Sequence, residues 1–427
     1  MQTLLKNLRI IDTTLNIDQK ADILIDNGLI EKIGTDIEVN DWNVDIHDLS
    51  GCIAAPGFID IHVHLREPGR EDEETVVSGC MGAAAGGFTA IASMPNTDPA
   101  ADAAEIIESI ITKSEKTPVD VYPIGAATIE RKGEVLAPIG ELVEAGAVAF
   151  SDDGVAIKTA GILRRVMEYA SMYNAPVIEH CEDESMAGGS MNEGFNSTRF
   201  GLTAIPPIAE ELTVARDIMM AEYTGAKVHI AHISTAKAVQ LVREGKAKGI
   251  KVTAEVTPHH FTLTDDSLAD YDTNFKMNPP LRTKDDVAAM IEGLRDGTID
   301  CIASDHAPHS IEEKEMEFEY APNGILGLET TLGLTLNNLY HQGVLSIPQI
   351  VEKLVVNPRN ILGIPVPVIR EGEKANLTIF DPEKEYKVRV AGFKSKSRNS
   401  PFDGHTLKGA PVAIFNKGKL VLSQVSG

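Results

Sequence analysis

The chain of 427 residues has too little positive charge for several kinds of partner: 39 lysines and arginines stand against 63 aspartates and glutamates, a formal net charge of −24. Nucleic acids and anionic membranes are held by basic patches, so neither is expected. The acidity reads as a solubilising surface, and an anionic substrate needs its own local basic residue. No apolar run approaches the ~20 residues that cross a bilayer. The start, Met1-Gln2-Thr3-Leu4-Leu5-Lys6-Asn7, lacks the long apolar stretch of a signal peptide. The four cysteines, Cys52, Cys80, Cys181 and Cys301, make no C-x-x-C pair. That argues against a disulfide framework and for a reducing cytoplasm. Cys181 is expected as a packed thiol, because a strand neighbour of His180 faces the other way. No G-x-G-x-x-G follows a first strand, so a dinucleotide fold has no support. Solenoid repeats and low-complexity segments are also missing.

What is present is an apolar content of 43%, with aromatics at only 5%. At this length it supports a large core and more than one domain. Residues 1–52 read as short strands, with Ala21 to Ile25 and Leu29 to Ile33 flanking the hairpin turn Asp26-Asn27-Gly28. Residues 365–427 look alike, with a strand at Ala375 to Phe380 and a second hairpin from Ala413 to Leu422. Neither end holds a comfortable core alone, so the two are expected to pack together as one small β-sandwich domain. Between them, at 53–364, strands alternate with amphipathic runs such as Ala103 to Ser114, Leu163 to Tyr173, Leu212 to Tyr223 and Lys284 to Leu294. Eight strands are expected, at 57–65, 87–94, 119–126, 147–151, 176–181, 227–233, 251–257 and 299–304. This α/β rhythm predicts a (β/α)8 TIM barrel, with a doubly wound open sheet as the alternative.

The first of these strands opens Gly57-Phe58-Ile59-Asp60-Ile61-His62-Val63-His64-Leu65-Arg66. Strand alternation puts Phe58, Asp60, His62 and His64 on one face and Ile59, Ile61, Val63 and Leu65 on the other. Two imidazoles at i and i+2 can grip a metal, and Arg66 just beyond can hold an anion. Alone, His-x-His is a weak signal, since paired surface histidines are commoner than metal sites.

A barrel gathers its active site at the C-terminal strand ends. Those ends carry His62, His64 and Arg66; Asn96; Asp152 and Asp153; His180; His232; and Asp305 with His309. Taken singly, His180 is a core histidine, Asp152-Asp153-Gly154 a turn and Asp305 an N-cap. Their joint occurrence at equivalent positions makes a transition-metal inventory, and imidazole favours zinc. His259 and His260, after the seventh strand, stay ambiguous. His229 is expected to be packed, and His47, His341 and His405 lie away from the mouth. Six ligand candidates exceed one four-coordinate ion and suit two metals sharing a bridge. One arrangement sets His62, His64 and Asp305 on one ion, and His180 and His232 on the other, with a carboxylate from the fourth strand between them. Such a pair can hold a bridging hydroxide as nucleophile. Asp305 can then pass the proton to a leaving nitrogen.

These segments resemble the cyclic amidohydrolases, and within them the dihydroorotases in their long bacterial form. The resemblance rests on His62-Val63-His64-Leu65-Arg66-Glu67-Pro68-Gly69, Met94-Pro95-Asn96-Thr97, Ser151-Asp152-Asp153-Gly154, Thr253-Ala254-Glu255-Val256-Thr257-Pro258-His259-His260, Lys276-Met277-Asn278-Pro279-Pro280-Leu281-Arg282 and Ser304-Asp305-His306-Ala307-Pro308-His309. It implies reversible, zinc-dependent hydrolysis of dihydroorotate to N-carbamoyl-aspartate in pyrimidine synthesis. It implies His62, His64, Asp153, His180, His232 and Asp305 as metal ligands, with Asp305 also moving the proton. His64, Arg66, Asn96, Asn278, His309 and the loop Asn323-Gly324 would meet the substrate. Many relatives bridge their metals with a carboxylated lysine. Here the nearest lysine, Lys158, lies several residues past the strand end, so Asp153 is expected as a direct bridge, with Asp152 second. Ala321-Pro322-Asn323-Gly324 also departs from relatives that carry Phe before the Gly. The acidic stretch 311–320 reads equally as a lid or a solvated loop. A homodimer and association with aspartate transcarbamoylase follow from the same resemblance. Other readings are a hydantoin or allantoin hydrolase, and a non-catalytic barrel serving as a scaffold for aspartate transcarbamoylase.

Overall fold

The computed structural model describes residues 2–39 and 44–425. Met1 and residues 426–427, the outer limits of the expected terminal segments, lie outside the described residues. Eight strands form the barrel: β1 (Phe58–Val63), β2 (Phe88–Ser93), β3 (Asp120–Ala126), β4 (Ala149–Ser151), β5 (Val177–Glu179), β6 (Val228–Ile230), β7 (Val252–Val256) and β8 (Cys301–Ile302). They neighbour one another in sequence order, all parallel. The ring closes through one bridge between Val63 and His306, where the His64 N–H donates to the His306 carbonyl at 2.9 Å. The expected barrel is therefore present.

Helices α1 (Val76–Gly86), α2 (Ala104–Ser114), α3 (Ile139–Ala145), α4 (Ala160–Met172), α5 (Ile208–Thr224), α6 (Ala236–Ala247) and α7 (Lys284–Asp296) surround it. Threonine starts four of them. Thr75, Thr159, Thr235 and Thr283 accept from backbone amides three residues on, satisfying donors a helix leaves open. Between α1 and β2 the chain must reverse in one residue, and Gly87 does so at φ 94°, which a side chain would resist.

Two apolar layers hold the strands. Phe58, Val63, Phe88, Ile91, Val177 and Ile230 face outward onto Leu142, Val166, Val239 and Leu294 of the helices. Ile59, Ile61, Ala90, Ala92, Ile124, Ala149 and Ile178 fill the barrel below its mouth. This corrects the alternation expected for β1. Ile59 and Ile61 share the interior with the histidines, not the opposite face. The reason is a bulge: Asp60 to Val63 span the same stretch of β2 as Ile91 to Ser93. The extra residue resets the alternation, so apolar residues fill the floor and His62 and His64 line the mouth.

Both chain ends build a second sheet of eight strands. Its central member, Ile53–Pro56, pairs in parallel with Gln2–Asp12 and antiparallel with Leu377–Lys387. Alternation explains its two faces. Ile11, Ile53, Ala55, Phe380 and Ile414 pack toward the barrel. Leu8, Ile10, Ala54, Ile379, Ala413 and Phe415 share a separate cluster with Ile23, Ile25 and Ile30. No helix among the described residues is long and apolar enough to cross a membrane.

Candidate active site

The site begins where regular strand ends. Strands β5, β6 and β8 stop short of their expected limits, at Glu179, Ile230 and Ile302, and the next residues turn their side chains inward. Arg66, His232 and Asp305 have φ of 60°, 29° and 46°. Left-handed backbone is costly for residues with a Cβ, and it persists where surrounding packing holds it for a purpose.

Asp153 stands at the centre. Its Oδ1 lies 3.5 Å from His62 Nε2, 3.9 Å from His180 Nδ1 and 3.8 Å from His232 Nε2. Its Oδ2 lies 3.6 Å from His64 Nε2. Asp305 Oδ1 faces it, 2.9 Å from His64 Nε2 and 3.5 Å from His62 Nε2. His180 Nδ1 and His232 Nε2 approach to 2.9 Å. Three overlapping groups have ligand atoms close enough for one ion: His62, His64 and Asp153; His62, His232 and Asp305; Asp153, His180 and His232. His62 Nε2, Asp153 Oδ1 and His232 Nδ1 are buried with no hydrogen-bond partner. Buried polar atoms are rarely left so. His62 Nε2 and Asp153 Oδ1, unpartnered and 3.5 Å apart, are a nitrogen and a carboxylate donor converging as a divalent metal requires.

Burial alone would raise the Asp153 and Asp305 pKa values, but the imidazoles, His62 foremost, hold both well below the usual carboxylate range. Burial would likewise lower His62, and Asp305, Glu255 and Asp153 outweigh it, leaving the ring well above the ordinary histidine value. The site thus sets two ionised carboxylates against a protonated imidazole.

Each ligand candidate is held from behind. Glu255 Oε1 lies 2.5 Å from His62 Nδ1, and its Oε2 lies 3.1 Å from His229 Nε2. His62 and His229 bring the Glu255 carboxyl down to about 2 against its burial. Asn96 Oδ1 lies 2.8 Å from His64 Nδ1, so this expected substrate residue also orients a histidine. Asn278 Nδ2 donates to Glu182 Oε2 at 3.0 Å, while its Oδ1 is buried without a partner. Asp152 faces elsewhere, accepting from the Thr128 N–H at 2.9 Å and the Thr128 hydroxyl at 2.5 Å. Lys158 lies 3.7 Å from Glu184, and no lysine lines the mouth among the described residues.

Above this cluster opens a cavity of about 250 Å³ lined by His64, Arg66, Asn96, Asp153, His180, His232, Met277, Asn278, Asp305, His309 and Asn323. Arg66 Nε donates to the Pro308 carbonyl at 3.1 Å and lies 3.2 Å from Glu73 Oε2. Among the described residues no hydrogen bond occupies its Nη1. Glu73 also reaches His309 Nδ1 at 3.0 Å, and His309 Nε2 donates to the Asn323 carbonyl at 2.8 Å. Gly324 does not line the cavity but backs His309: a Cβ there would lie 2.7 Å from the ring. Two buried lysines tie down the stretch after 311. Lys276 Nζ donates to the Glu319 and Ala321 carbonyls, and Lys314 Nζ to those of Thr273 and Pro322.

The other histidines stay out. His260 lies 2.8 Å from the Thr257 hydroxyl and 2.9 Å from the Pro279 carbonyl. His259 is buried beside it. His47 pairs with Asp45, His341 with the Pro382 carbonyl, and His405 packs on Phe402. Cys181 is buried and donates to Asp217. Sequence reasoning gave no role to Glu255 or Glu73. The signal for Glu255 was an acid inside the apolar strand β7.

A family model described as dihydro-orotase-like matches residues 51–238. A protein from Pelotomaculum thermopropionicum named dihydroorotase is 51% identical over 423 residues, covering 99% of each chain. Another of that name from Acetivibrio thermocellus is 49% identical, again covering 99% of each. Among solved structures, an L-hydantoinase (dihydropyrimidinase) from Arthrobacter aurescens superposes with a TM-score of 0.87 at 26% identity, covering 99% of this chain and 96% of that one.

Proposed function

The chain belongs to the dihydroorotase family of metal-dependent cyclic amidohydrolases, and on that premise we propose that it interconverts dihydroorotate and N-carbamoyl-aspartate in cytoplasmic pyrimidine synthesis. The observation that carries the reading is the Asp153 carboxylate, 3.5–3.9 Å from four imidazoles, beneath a rim that holds Arg66.

Two zinc ions suit the donor set. His62, His64 and Asp305 would hold one, His180 and His232 the other, and Asp153 would reach both. When bound, they supply Lewis acidity at the ring carbonyl and lower the pKa of the attacking water. Arg66 offers the planar fork that matches the substrate carboxylate. Asn96 and Asn278 suit a ring bearing N–H and C=O groups, and His309 with Asn323 closes the far wall. Asp305 takes the proton from water and delivers it to the ring nitrogen as the C–N bond breaks. The oxygen stays on the carbonyl carbon as the new carboxylate, and the second proton of the water passes to solvent. In the cyclising direction Asp305 carries the nitrogen's proton to the departing oxygen, solvent supplies the second proton, and water leaves.

Purified protein loaded with zinc should close carbamoyl-aspartate to dihydroorotate, followed by far-ultraviolet absorbance. No turnover in either direction at full metal loading overturns the reading. Resemblance to a hydantoinase structure keeps hydantoin and allantoin as the second reading. Arg66 favours the carboxylated ring, and relative turnover of the three compounds decides.

Helix α5 leaves Ile208, Leu212, Met219 and Tyr223 exposed along one face. That stripe supports a homodimer, checked by sedimentation. Association with aspartate transcarbamoylase rests on family likeness and is checked by mixing the two enzymes and sizing the complex.

A further inference from the structure

The segment Phe393 to Phe402 leaves the end sheet and crosses to the barrel mouth. Phe393 and Phe402 are buried with Met277, Ile325 and Leu326, directly beneath the substrate loops. Its register is fixed by buried acids: the Lys394 and Ser395 amides donate to Glu329, and the Ser395 hydroxyl to Glu74. The segment therefore delivers Asn399 to one place.

Asn399 is buried, and its amide is fully used there. Nδ2 donates to the Ala307 carbonyl at 2.8 Å and the Gly324 carbonyl at 3.1 Å. Oδ1 accepts from the His309 N–H at 3.1 Å, and the Asn399 carbonyl accepts from the Leu326 N–H at 2.9 Å. One side chain thus joins the loop that carries His309 to the loop that carries Asn323. These loops also meet directly: the Ala307 N–H donates to the Ile325 carbonyl at 3.0 Å, and the His309 ring reaches the Asn323 carbonyl and rests on Gly324 at a distance that admits no Cβ.

We infer that Asn399 is a positioning residue: together with the backbone bridge between the His309 and Asn323 loops it sets their separation, and thereby the part of the cavity wall that His309 and Asn323 form. The inference rests on the proposed reaction, in which His309 meets the substrate. Asn399 touches neither the ligand cluster nor the cavity, so it acts through the loops alone.

The test compares Asn399→Ala and Asn399→Asp with the unaltered, metal-loaded enzyme. The aspartate keeps an acceptor for the His309 amide and loses both donors, so it is read even if the alanine variant does not fold. The expected result is a KM for dihydroorotate raised about fivefold or more, with kcat changed less than about twofold and metal content unchanged, since unpaired buried carbonyls drive the loops apart. In a His309→Ala background the same substitution should add little, because coupled residues are not additive. Amide exchange should quicken at 305–311 and 323–326 and nowhere else. Unchanged KM with activity lost only in step with folded protein, or unchanged exchange in both segments, overturns the inference. An unaltered enzyme without turnover overturns the reaction instead, and exchange still decides the role of Asn399.

Discussion

Glu255 lies 2.5 Å from His62 Nδ1, and it comes from β7, one strand beyond the β8 end that closes the ring onto β1. It fixes the ring so that Nε2 points at Asp153 and Asp305, and it makes the imidazole a better donor. Glu255→Gln keeps the shape and removes the charge. It should lower metal affinity and turnover by ~10–100-fold, the range for such supporting groups. Metal analysis after dialysis, beside steady-state rates, checks this.

The bridge is tested by three neighbours. Asp153→Asn should lose metal and turnover together, because among the described residues its carboxylate is the only one within 4 Å of all four imidazoles. Lys158→Ala should leave both within about twofold, since its partner is the exposed Glu184, outside the cavity lining. Asp152→Asn should keep its metal but cost ~1–3 kcal/mol of stability through the buried Thr128 pair. Retained metal in Asp153→Asn would move the bridge elsewhere.

Asp305→Ala should cut turnover by ~10²–10⁴-fold, the usual weight of a proton-transfer group, without loss of the folded state. Rates near normal in either direction would remove Asp305 from that role.

Arg66→Lys keeps a charge but loses the fork. The expected effect is a KM for dihydroorotate raised ~10-fold, with a smaller change for uncharged hydantoin. Equal effects on both compounds would mean that Arg66 does not read the carboxylate.

Chelated protein should respond to pH in a specific direction. His62 has its pKa raised by Asp305, Glu255 and Asp153, so its protonated form stabilises the fold. That contribution is full below the unfolded value of about 6.5 and is lost as pH rises through the folded value. Asp153 and Asp305 are depressed, so their contribution is present above about 4 and fades only in strong acid. The melting temperature of the metal-free enzyme should therefore fall as pH rises above ~6.5, while zinc, which replaces the imidazolium charge, should flatten the curve. A metal-free melting temperature that climbs over this range contradicts it.

Much of this was legible in sequence, for identifiable reasons. His62, His64, His180, His232 and Asp305 fall at strand ends, and the barrel brings strand ends together whatever their spacing. Asp153 against Asp152 was only half legible: adjacent residues on extended chain face apart, but which of the two faces inward was a preference from family resemblance. The alternation of β1 was not legible, since a bulge depends on the partner strand. Glu255 was hidden because its partner is 193 residues away. Asn399 was hidden because its stretch read as part of the end sheet, and only packing of Phe393 and Phe402 carries it to the mouth.

The sheet built from both termini also constrains how the chain is made. Ile53–Pro56 emerges early, yet its antiparallel neighbour Leu377–Lys387 is translated last but two among the sheet's strands. At ordinary elongation rates the interval is on the order of tens of seconds. Throughout it the nascent protein carries an open hydrogen-bonding edge, and such edges invite pairing with other chains. The barrel can assemble meanwhile, so the hazard in synthesis lies at the N-terminal strands, and a ribosome stalled before Leu377 should yield a product that aggregates through them.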